Sequence, residues 1–178
     1  MIRLLAVSAL LLLSGCVSQY SITEREMASY LNKEIGLEVK DNSGPLGARV
    51  SVNQIEVKLG HKADTMAVTA TSLAEVKTPL IPLRATLTTT FEAKPWYDKH
   101  AHGVYLRDLQ LVDVSANPAE LKRLLQDLAP ELMRVVRSFL ESQPVYVLDT
   151  EDAAQAKLAE MTERITVKPG KLVLEFTP

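Results

Sequence analysis

The only thiol in the chain, that of Cys16, comes directly after an apolar run and two small residues. Arg3 precedes residues 4–13, which are almost all apolar, and the small pair Ser14-Gly15 follows them. A positive start, an apolar centre and a small-residue end are typical of a secretory signal peptide, and about ten apolar residues are too few to span a bilayer. A buried core helix is the alternative, but such a run at the extreme terminus is a poor start for one. Because an exported chain with one cysteine cannot form an internal disulfide, we expect this thiol to be an attachment point.

The four residues Leu13-Ser14-Gly15-Cys16 resemble the bacterial lipobox, in which an aliphatic residue and two small residues precede the cysteine. The resemblance implies a diacylglyceryl group on the thiol, cleavage before the cysteine and acylation of the new amine, with palmitate as the expected acid. Three acyl chains, at about 0.8 kcal/mol per buried methylene, would hold the protein firmly on a membrane. We therefore divide the chain into a signal peptide at 1–15, a lipidated N-terminus with a short tether at 16–20, and a single domain at 21–178.

Val17, directly after the cysteine, predicts which membrane holds the protein. In lipoproteins of this kind an aspartate at that position favours retention in the inner membrane. Val17 therefore implies the outer membrane, with the domain on its periplasmic face. Only residues 17–20 separate Cys16 from the predicted start of a helix, and at about 3.5 Å per residue this tether reaches on the order of 15 Å. We expect the domain to lie close against the bilayer.

Two histidines in the stretch KHAHG, His100 and His102, are the one cluster that could share a metal ion. Two imidazoles fall short of a complete site, and the stretch is typical of a loop, so we expect no metal. The sequence has no phosphate-binding glycine loop, nucleophile elbow or HExxH motif, and no carboxylate pair on one buried face. We therefore expect no cofactor and no catalytic residue, and we predict that the protein is not an enzyme.

Composition limits the scaffold that carries these groups. Hydrophobic residues make up 47% of the chain but aromatic residues only 5%, which predicts a mainly aliphatic core. The formal net charge is −2, and acidic and basic residues are spread along the chain without a basic patch. We therefore expect no nucleic-acid partner. The length that remains after the signal peptide fits one domain.

The N-terminal half predicts one short helix followed by long strands. Ser21-Ile22-Thr23-Glu24 has the spacing of a capping box, so the first helix is predicted over residues 22–35. Period-two alternation then extends over residues 37–114, which predicts an antiparallel sheet with one apolar and one wet face. The phase of the alternation changes near Asn53 and again within residues 106–109, and each change predicts a bulge or tight bend.

A long amphipathic helix is predicted after Asn117-Pro118, where asparagine would cap the helix and proline would occupy its first turn. Its apolar stripe keeps its phase across Pro130, so we predict one kinked helix of about 25 residues, roughly 37 Å long. A helix of this length needs a long partner, and a curved sheet is the only candidate. Eight apolar residues form the stripe within an arc of about 120°, and they are Leu121, Leu124, Leu125, Leu128, Leu132, Val135, Val136 and Phe139.

The C-terminal segment predicts a short strand in VYVLD, a third helix and a hairpin. Thr150-Glu151-Asp152 has the composition of a helix start, and the helix is predicted to end near Thr162. Pro169-Gly170 would form the turn that divides ITVKPGKLVLEF into two strands, with Val167 facing Leu172.

Several of these stretches are similar to the YceB family of enterobacterial lipoproteins. They are the lipobox, the capped first helix, PLIPLRATLTTTFEAKPWYD, VYLRDLQLVDV, the leucine-rich helix and the KPGKLVLEF hairpin. The resemblance extends over nearly the whole mature chain. It implies a TULIP-like α+β fold, in which a strongly bent antiparallel sheet wraps along one long amphipathic helix, with shorter N- and C-terminal helices. TULIP domains are best known for holding lipids between helix and sheet, and the family supplies no catalytic residues.

We therefore predict an apolar cleft between the helical stripe and one long strand, to which Leu83, Leu87 and Phe91 would contribute. A lipid or another hydrophobic ligand would bind in that cleft. Alternatively, the same side chains fill the core completely, and the protein is a structural or adaptor lipoprotein. Such a lipoprotein would dock an envelope protein through an exposed apolar patch. The sequence names neither the ligand nor the protein partner.

Overall fold

The computed structural model describes residues 19–34, 38–41, 48–76, 83–118, 137 and 140–176 of the 178-residue chain. Within these residues lie two helices and nine strands. In chain order they are β1 (Gln19–Thr23), α1 (Glu24–Glu34), β2 (Glu38–Asp41), β3 (Ala48–Leu59), β4 (Met66–Val76), β5 (Leu83–Asp98), β6 (Gly103–Asn117), β7 (Tyr146–Val147), α2 (Ala153–Met161), β8 (Thr162–Lys168) and β9 (Lys171–Phe176).

The described strands form two antiparallel sheets. Strands β2 to β7 form a six-stranded sheet in which the spatial order equals the chain order, and β1, β9 and β8 form a three-stranded sheet. The predicted antiparallel sheet is confirmed, since every neighbouring pair from β2 to β7 is antiparallel. Strands that follow each other in the chain tend to pair because a short connection keeps them close in space.

Both predicted changes of phase are irregularities in strand pairing. In β3 the pairing with β4 shifts at Asn53, which has no partner residue. In β6 Asp108 and Leu109 together stand opposite Ala93 of β5, and Asp108 has a φ of 57°. An extra residue bends its strand and increases the local twist. These two bulges therefore bend the six-stranded sheet at points that the sequence pattern identifies. A further irregularity, at Val112 of β6, was not predicted.

The first helix starts two residues later than predicted, and the predicted capping box is wrong. β1 precedes the helix instead, pairs with β9 and buries the side chain of Ile22 completely. The helix begins at Glu24, and its capping box joins Thr23 and Glu26. The Thr23 backbone N–H donates to Glu26 Oε2 at 2.7 Å, and the Glu26 N–H donates to Thr23 Oγ1 at 3.3 Å. Ser21 has the same spacing from a glutamate, so the pattern alone does not distinguish the two boxes.

The predicted C-terminal elements are confirmed. Asp152 is the N-cap of α2, and its carboxylate accepts hydrogen bonds from the backbone N–H groups of Ala154 and Gln155 at 3.0 and 2.9 Å. The strands β8 and β9 form the predicted hairpin, with Gly170 in its turn at a φ of 78°. A glycine accepts this backbone conformation without strain.

The packed core lies where α1 and the three-stranded sheet meet one end of the six-stranded sheet. Met27 and Leu31 of α1 are at most 1% exposed. Asn32 fastens the same helix to β3, because its side chain accepts from the Ile55 N–H at 2.9 Å and donates to the Ile55 carbonyl at 2.8 Å. The core therefore occupies only part of the length of the long strands.

Most of the predicted long helix lies outside the described residues. Arg137 and residues 140–142, at its C-terminal end, have helical backbone. Leu140 is half-buried and packs against the core. The long helix itself stays a prediction.

Candidate functional site

The inner face of the six-stranded sheet is the side that packs on the core, and its side chains form rows across β3, β4, β5 and β6. Strand register places one residue of each strand in a row, and successive rows are about 7 Å apart along the strands. Five rows can be followed in the described residues. Numbered from the core outward, they are Leu59/Met66/Ala93, Val57/Val68/Phe91/Leu111, Ile55/Ala70/Thr89/Val114, Val52/Ser72/Leu87/Ala116 and Val50/Ala74/Ala85.

Rows one and two carry mainly large side chains and are covered by the core. Met66 is completely buried, Leu59 and Val57 are 3% and 5% exposed, and Phe91 is 9% exposed. These residues belong to one cluster with the apolar side chains of α1 and β9. This end of the inner face is therefore occupied by the protein itself.

Rows four and five mix small and larger residues: Val52 and Leu87 belong to row four and Val50 to row five. We call their small members the small-residue end, namely Ser72, Ala74, Ala85 and Ala116. Ser72 and Ala85 are 8% and 5% exposed, whereas Leu87, which lies between β4 and β6 in row four, is half-buried. A sheet surface made of alanine and serine lies lower than one made of leucine and phenylalanine. Four small side chains are thus grouped on the inner face beside Val52 and Leu87, and this part of the face is the floor of the candidate site.

The outer face of the same sheet is polar, as the alternation predicted. The hydroxyls of Thr69 and Thr90 are hydrogen-bonded at 3.0 Å. Glu92 forms an ion pair with Lys62 at 2.6 Å and accepts a hydrogen bond from His61 at 2.9 Å. The hydrogen bond from Lys62, and then that from His61, lowers the pKa of the Glu92 carboxyl. The candidate apolar site therefore belongs to the inner face alone.

The rows of the inner face show where the three strand residues of the predicted cleft lie. Leu87 is half-buried in row four, beside the small-residue end, whereas Phe91 belongs to the packed core of row two. Leu83 is the first residue of β5 and pairs with Val76, but its side chain lies outside the described part. Also outside the described residues are Cys16 and the whole predicted helical stripe, namely Leu121, Leu124, Leu125, Leu128, Leu132, Val135, Val136 and Phe139.

The predicted cleft contained none of the four members of the small-residue end, namely Ser72, Ala74, Ala85 and Ala116. Ser72 and Ala74 continue the alternation of Ala70 and its predecessors in β4, so position along the strand was a sufficient signal. Small or polar side chains do not register as an apolar pattern. For that reason the floor of such a site is harder to recognise in a sequence than the wall that covers it.

The two histidines lie in the turn between β5 and β6. The backbone N–H of His100 donates to Asp98 Oδ1 at 2.8 Å, and the buried Nδ1 of His102 has no hydrogen-bond partner within the described residues. No three metal-ligating side chains come together in the described part of the chain. The arrangement does not bring further ligands to the histidines there.

The bulge of β6 is fastened by the helical residues near the end of the predicted long helix. Arg137 Nη2 donates to the Leu109 carbonyl at 2.9 Å, and the Leu109 N–H points at Glu141 Oε1 at 3.5 Å. A bulge leaves backbone groups without ladder partners, and these two side chains supply partners. Arg137 and Glu141, which precede β7 in the chain, are thereby attached to the bulge of β6.

Neither described helix has both the length and the apolar character needed to cross a bilayer.

A protein family described as "Protein of unknown function (DUF1439)" matches residues 22–171. The chain is 29% identical over 182 residues to the "Uncharacterized lipoprotein YceB" of Escherichia coli (strain K12), and the match spans 97% of this chain and 95% of that protein. The protein with the same description in Salmonella typhimurium is 28% identical over 181 residues, with the same coverage. A solved structure, "Crystal structure of lipopolysaccharide binding protein", is 13% identical with a TM-score of 0.39. The match spans 90% of this chain but 40% of that one.

Proposed function

Because the chain belongs to the DUF1439 family, and its relatives in two enterobacteria are described as lipoproteins, we propose that it is a lipid-anchored envelope protein that binds an acyl chain. The acyl chain lies on the small-residue end of the inner face, over Ser72, Ala74 and Ala85. The protein is a binding protein and carries out no catalytic step.

The observation that carries this proposal is the decrease in side-chain size along the inner face. Rows one and two are filled and covered. In rows four and five, β4 contributes Ser72 and Ala74, about 7 Å apart along the strand, and β5 contributes Ala85 beside Leu87. A protein that needed only a packed core gains stability from large apolar residues, since burial contributes about 25 cal/mol per Å². Small residues on a sheet face leave more room above the strands than large ones, which supports a site for another apolar group there.

The cover of this site, in the proposal, is the stripe of the predicted long helix. With the stripe facing the small-residue end, the arrangement is TULIP-like, with Leu128 near its middle. The attachment of Arg137 to Leu109 supports this geometry, because it holds the end of the same segment at β6, the strand that supplies Ala116. An apolar ligand would lie between the stripe and the floor.

The proposed anchor is a diacylglyceryl group on Cys16, in the outer membrane and on its periplasmic face. The descriptions of the relatives as lipoproteins support a lipid anchor, and Val17 supports the outer membrane. Intact-mass measurement of the protein extracted from membranes should detect the added acyl groups, and Cys16→Ala should abolish them. Val17→Asp should move the protein from the outer- to the inner-membrane fraction of a density gradient. An unchanged distribution would contradict the assignment to the outer membrane.

Native mass spectrometry tests the ligand site. The chain from residue 18 onward contains every described element, and after delipidation it should bind added fatty acid or phospholipid. Ala85→Phe, which fills the floor, should reduce the bound fraction at least about tenfold. Thr88→Phe adds the same ring to the outer face of the same strand and should leave binding unchanged. Equal binding by the two variants would show that the site lies elsewhere.

The filled-core adaptor is the competing hypothesis, and it requires an exposed apolar patch. Among the described residues, Val112 is the one large hydrophobic residue that is exposed, at 45%. A single exposed valine is ordinary for a soluble surface and does not form a docking patch. The described surface therefore favours the ligand-binding proposal.

A further inference from the structure

A groove separate from the small-residue end lies between α1 on one side and β7 with the residues that follow it on the other. We call it the tyrosine groove and define it by Glu26, Tyr30, Glu34, Tyr146 and Asp149, which line a space of about 550 Å³. The rings of Tyr30 and Tyr146 are adjacent, with centroids 5.4 Å apart and planes inclined at 47°. The groove therefore has an aromatic wall, and the inner sides of both rings pack against the core.

The charge around this wall is mainly negative. Three carboxylates line the groove, those of Glu26, Glu34 and Asp149. Lys33 is the one basic residue among its lining residues, and it forms an exposed ion pair with Glu34 at 3.7 Å, which leaves the groove a formal charge of −2. The carboxylate of Glu26 accepts two hydrogen bonds from Thr23 at 2.7 Å each, so its position is fixed by the cap of α1.

Asp149 is held in the same way, because its Oδ1 accepts from the Glu151 N–H at 2.9 Å. Its own N–H donates to Gln155 Oε1 at 3.1 Å. Carboxylates held in place beside aromatic rings attract an organic cation. The ring faces and the carboxylates both carry negative charge density, so both attract the positive charge.

The pKa values of both tyrosine hydroxyls are raised, mainly by burial. Burial, followed by the charge of Glu34, raises the pKa of Tyr30. Burial also raises the pKa of Tyr146, with smaller contributions from Tyr20 and Glu26. Each ring therefore lies within the electrostatic reach of at least one carboxylate of the rim.

We propose that the tyrosine groove binds an alkylammonium group, and that this group is the ammonium of a zwitterionic phospholipid headgroup. The choice of a membrane source rests on the lipid anchor of the proposed function. β1 begins at Gln19, so three peptide units separate it from Cys16, a distance of about 11 Å at full extension. β1 leads directly into α1, which carries Tyr30. The chain between Cys16 and Tyr30 is thus short enough to let the groove reach the headgroup layer.

Weak binding is sufficient at that position. A single ammonium group on an exposed aromatic and acidic wall is expected to bind with a dissociation constant on the order of millimolar. A protein tethered to the membrane faces headgroups at an effective concentration of at least that order. The groove would then orient the tethered domain on the bilayer surface.

The first experiment uses the intact protein, purified from membranes in non-ionic detergent and labelled with ¹³C in its tyrosine rings. Phosphocholine, which carries a permanent ammonium charge, should shift the Tyr30 and Tyr146 resonances in a saturable way. Glycerol phosphate, which has the phosphate without the ammonium, should leave them unchanged. No shift with phosphocholine, or equal shifts with the two compounds, would overturn the proposal.

Charge variants keep the test independent of folding. Glu34→Gln and Asp149→Asn should each raise the apparent dissociation constant of phosphocholine at least about threefold, since each removes one charge from the rim. Glu56→Gln on β3 and Asp64→Asn in the β3–β4 turn are matched controls and should have no effect. Tyr146→Leu should abolish the shift of Tyr30. Loss of binding in the controls to the same extent would contradict a specific groove.

The second experiment separates a membrane source from a free amine. The intact protein is placed in nanodiscs of phosphatidylcholine or of phosphatidylglycerol, and the same ring resonances are compared. The choline discs should reproduce the shifts caused by phosphocholine, and the glycerol discs should not. If only free phosphocholine acts, the lipid source is wrong. If intact-mass measurement finds no acyl groups on Cys16, the proposed lipid anchor is wrong. The phosphocholine titration in solution still tests whether the tyrosine groove binds an alkylammonium group.

Discussion

At the scale of single residues, side chains stabilise the fold by forming hydrogen bonds to backbone groups of distant strands. Arg137 and Asn32 both act in this way, at the β6 bulge and on β3 respectively. Neither contact could be predicted from the sequence, because the periodicity of a helix says only that such residues face away from its apolar stripe. Their partners are fixed by tertiary packing.

Arg137→Ala should lower the free energy of unfolding by about 1 kcal/mol, since it removes a partner from the Leu109 carbonyl. The matched control is Arg107→Ala, an exposed residue of β6, the strand that carries Leu109. It should lower the free energy of unfolding by less than about 0.5 kcal/mol. Urea denaturation of the two variants measures both values. Equal losses would show that the bulge does not depend on this hydrogen bond.

The lowered pKa of Glu92 makes the free energy of unfolding depend on pH, and the direction of this dependence follows from the shift. Its hydrogen bonds to Lys62 and His61 lower its pKa in the folded state below the usual value of 4.5. The contribution to stability is therefore present above about pH 4.5 and is lost as the pH falls through the lower folded-state pKa. Glu92→Gln should reduce the midpoint of urea unfolding at pH 7, and the difference from the unmodified protein should shrink at pH 3. A difference that grows towards low pH would contradict this assignment.

At the scale of elements, the sequence predicts what is encoded locally and misjudges what depends on a distant strand. The bulges at Asn53 and in β6, the cap at Asp152 and the Gly170 turn all follow from patterns within a few residues. The segment before α1 is different. It becomes a strand because β9, about 150 residues later in the chain, offers it a partner.

The two candidate capping boxes provide a direct test of that error. Thr23→Ala removes the hydroxyl that caps α1 and should lower the free energy of unfolding by about 1 kcal/mol. Ser21→Ala alters the box that the sequence favoured, but that residue lies within β1, so the expected loss is below about 0.5 kcal/mol. Thermal or urea unfolding separates the two. A larger loss for Ser21→Ala would restore the earlier helix start.

At the scale of the whole molecule, the site depends on an uneven distribution of packing. The three-stranded sheet and α1 cover rows one and two, and the small-residue end lies beyond them. The sequence identified the long strands and their inner face but not this division, since covering depends on where β1 and the C-terminal hairpin dock. An α+β protein with one filled end can be stable while the other end accepts a ligand.

Docking of the two sheets depends on a close approach at Gly60, after β3. Its φ is 70°, and a Cβ atom there would lie 2.7 Å from the backbone of Lys168 and Pro169 in the β8–β9 turn. That turn is also held by a hydrogen bond from the Gly170 N–H to the Leu59 carbonyl at 3.0 Å. The two sheets therefore meet backbone to backbone, where a side chain has no room.

Gly60→Ala and Gly170→Ala form a matched pair that isolates this contact. Both glycines have positive φ, so each substitution should cost about 1 kcal/mol from backbone strain alone. Gly170 has open space around its Cβ position, whereas Gly60 does not. Gly60→Ala should therefore lower the free energy of unfolding by at least about 2 kcal/mol more than Gly170→Ala, because the sheets must move apart. If urea unfolding gives equal losses, the docking of the two sheets tolerates separation, and rows one and two are less firmly covered than this structure requires.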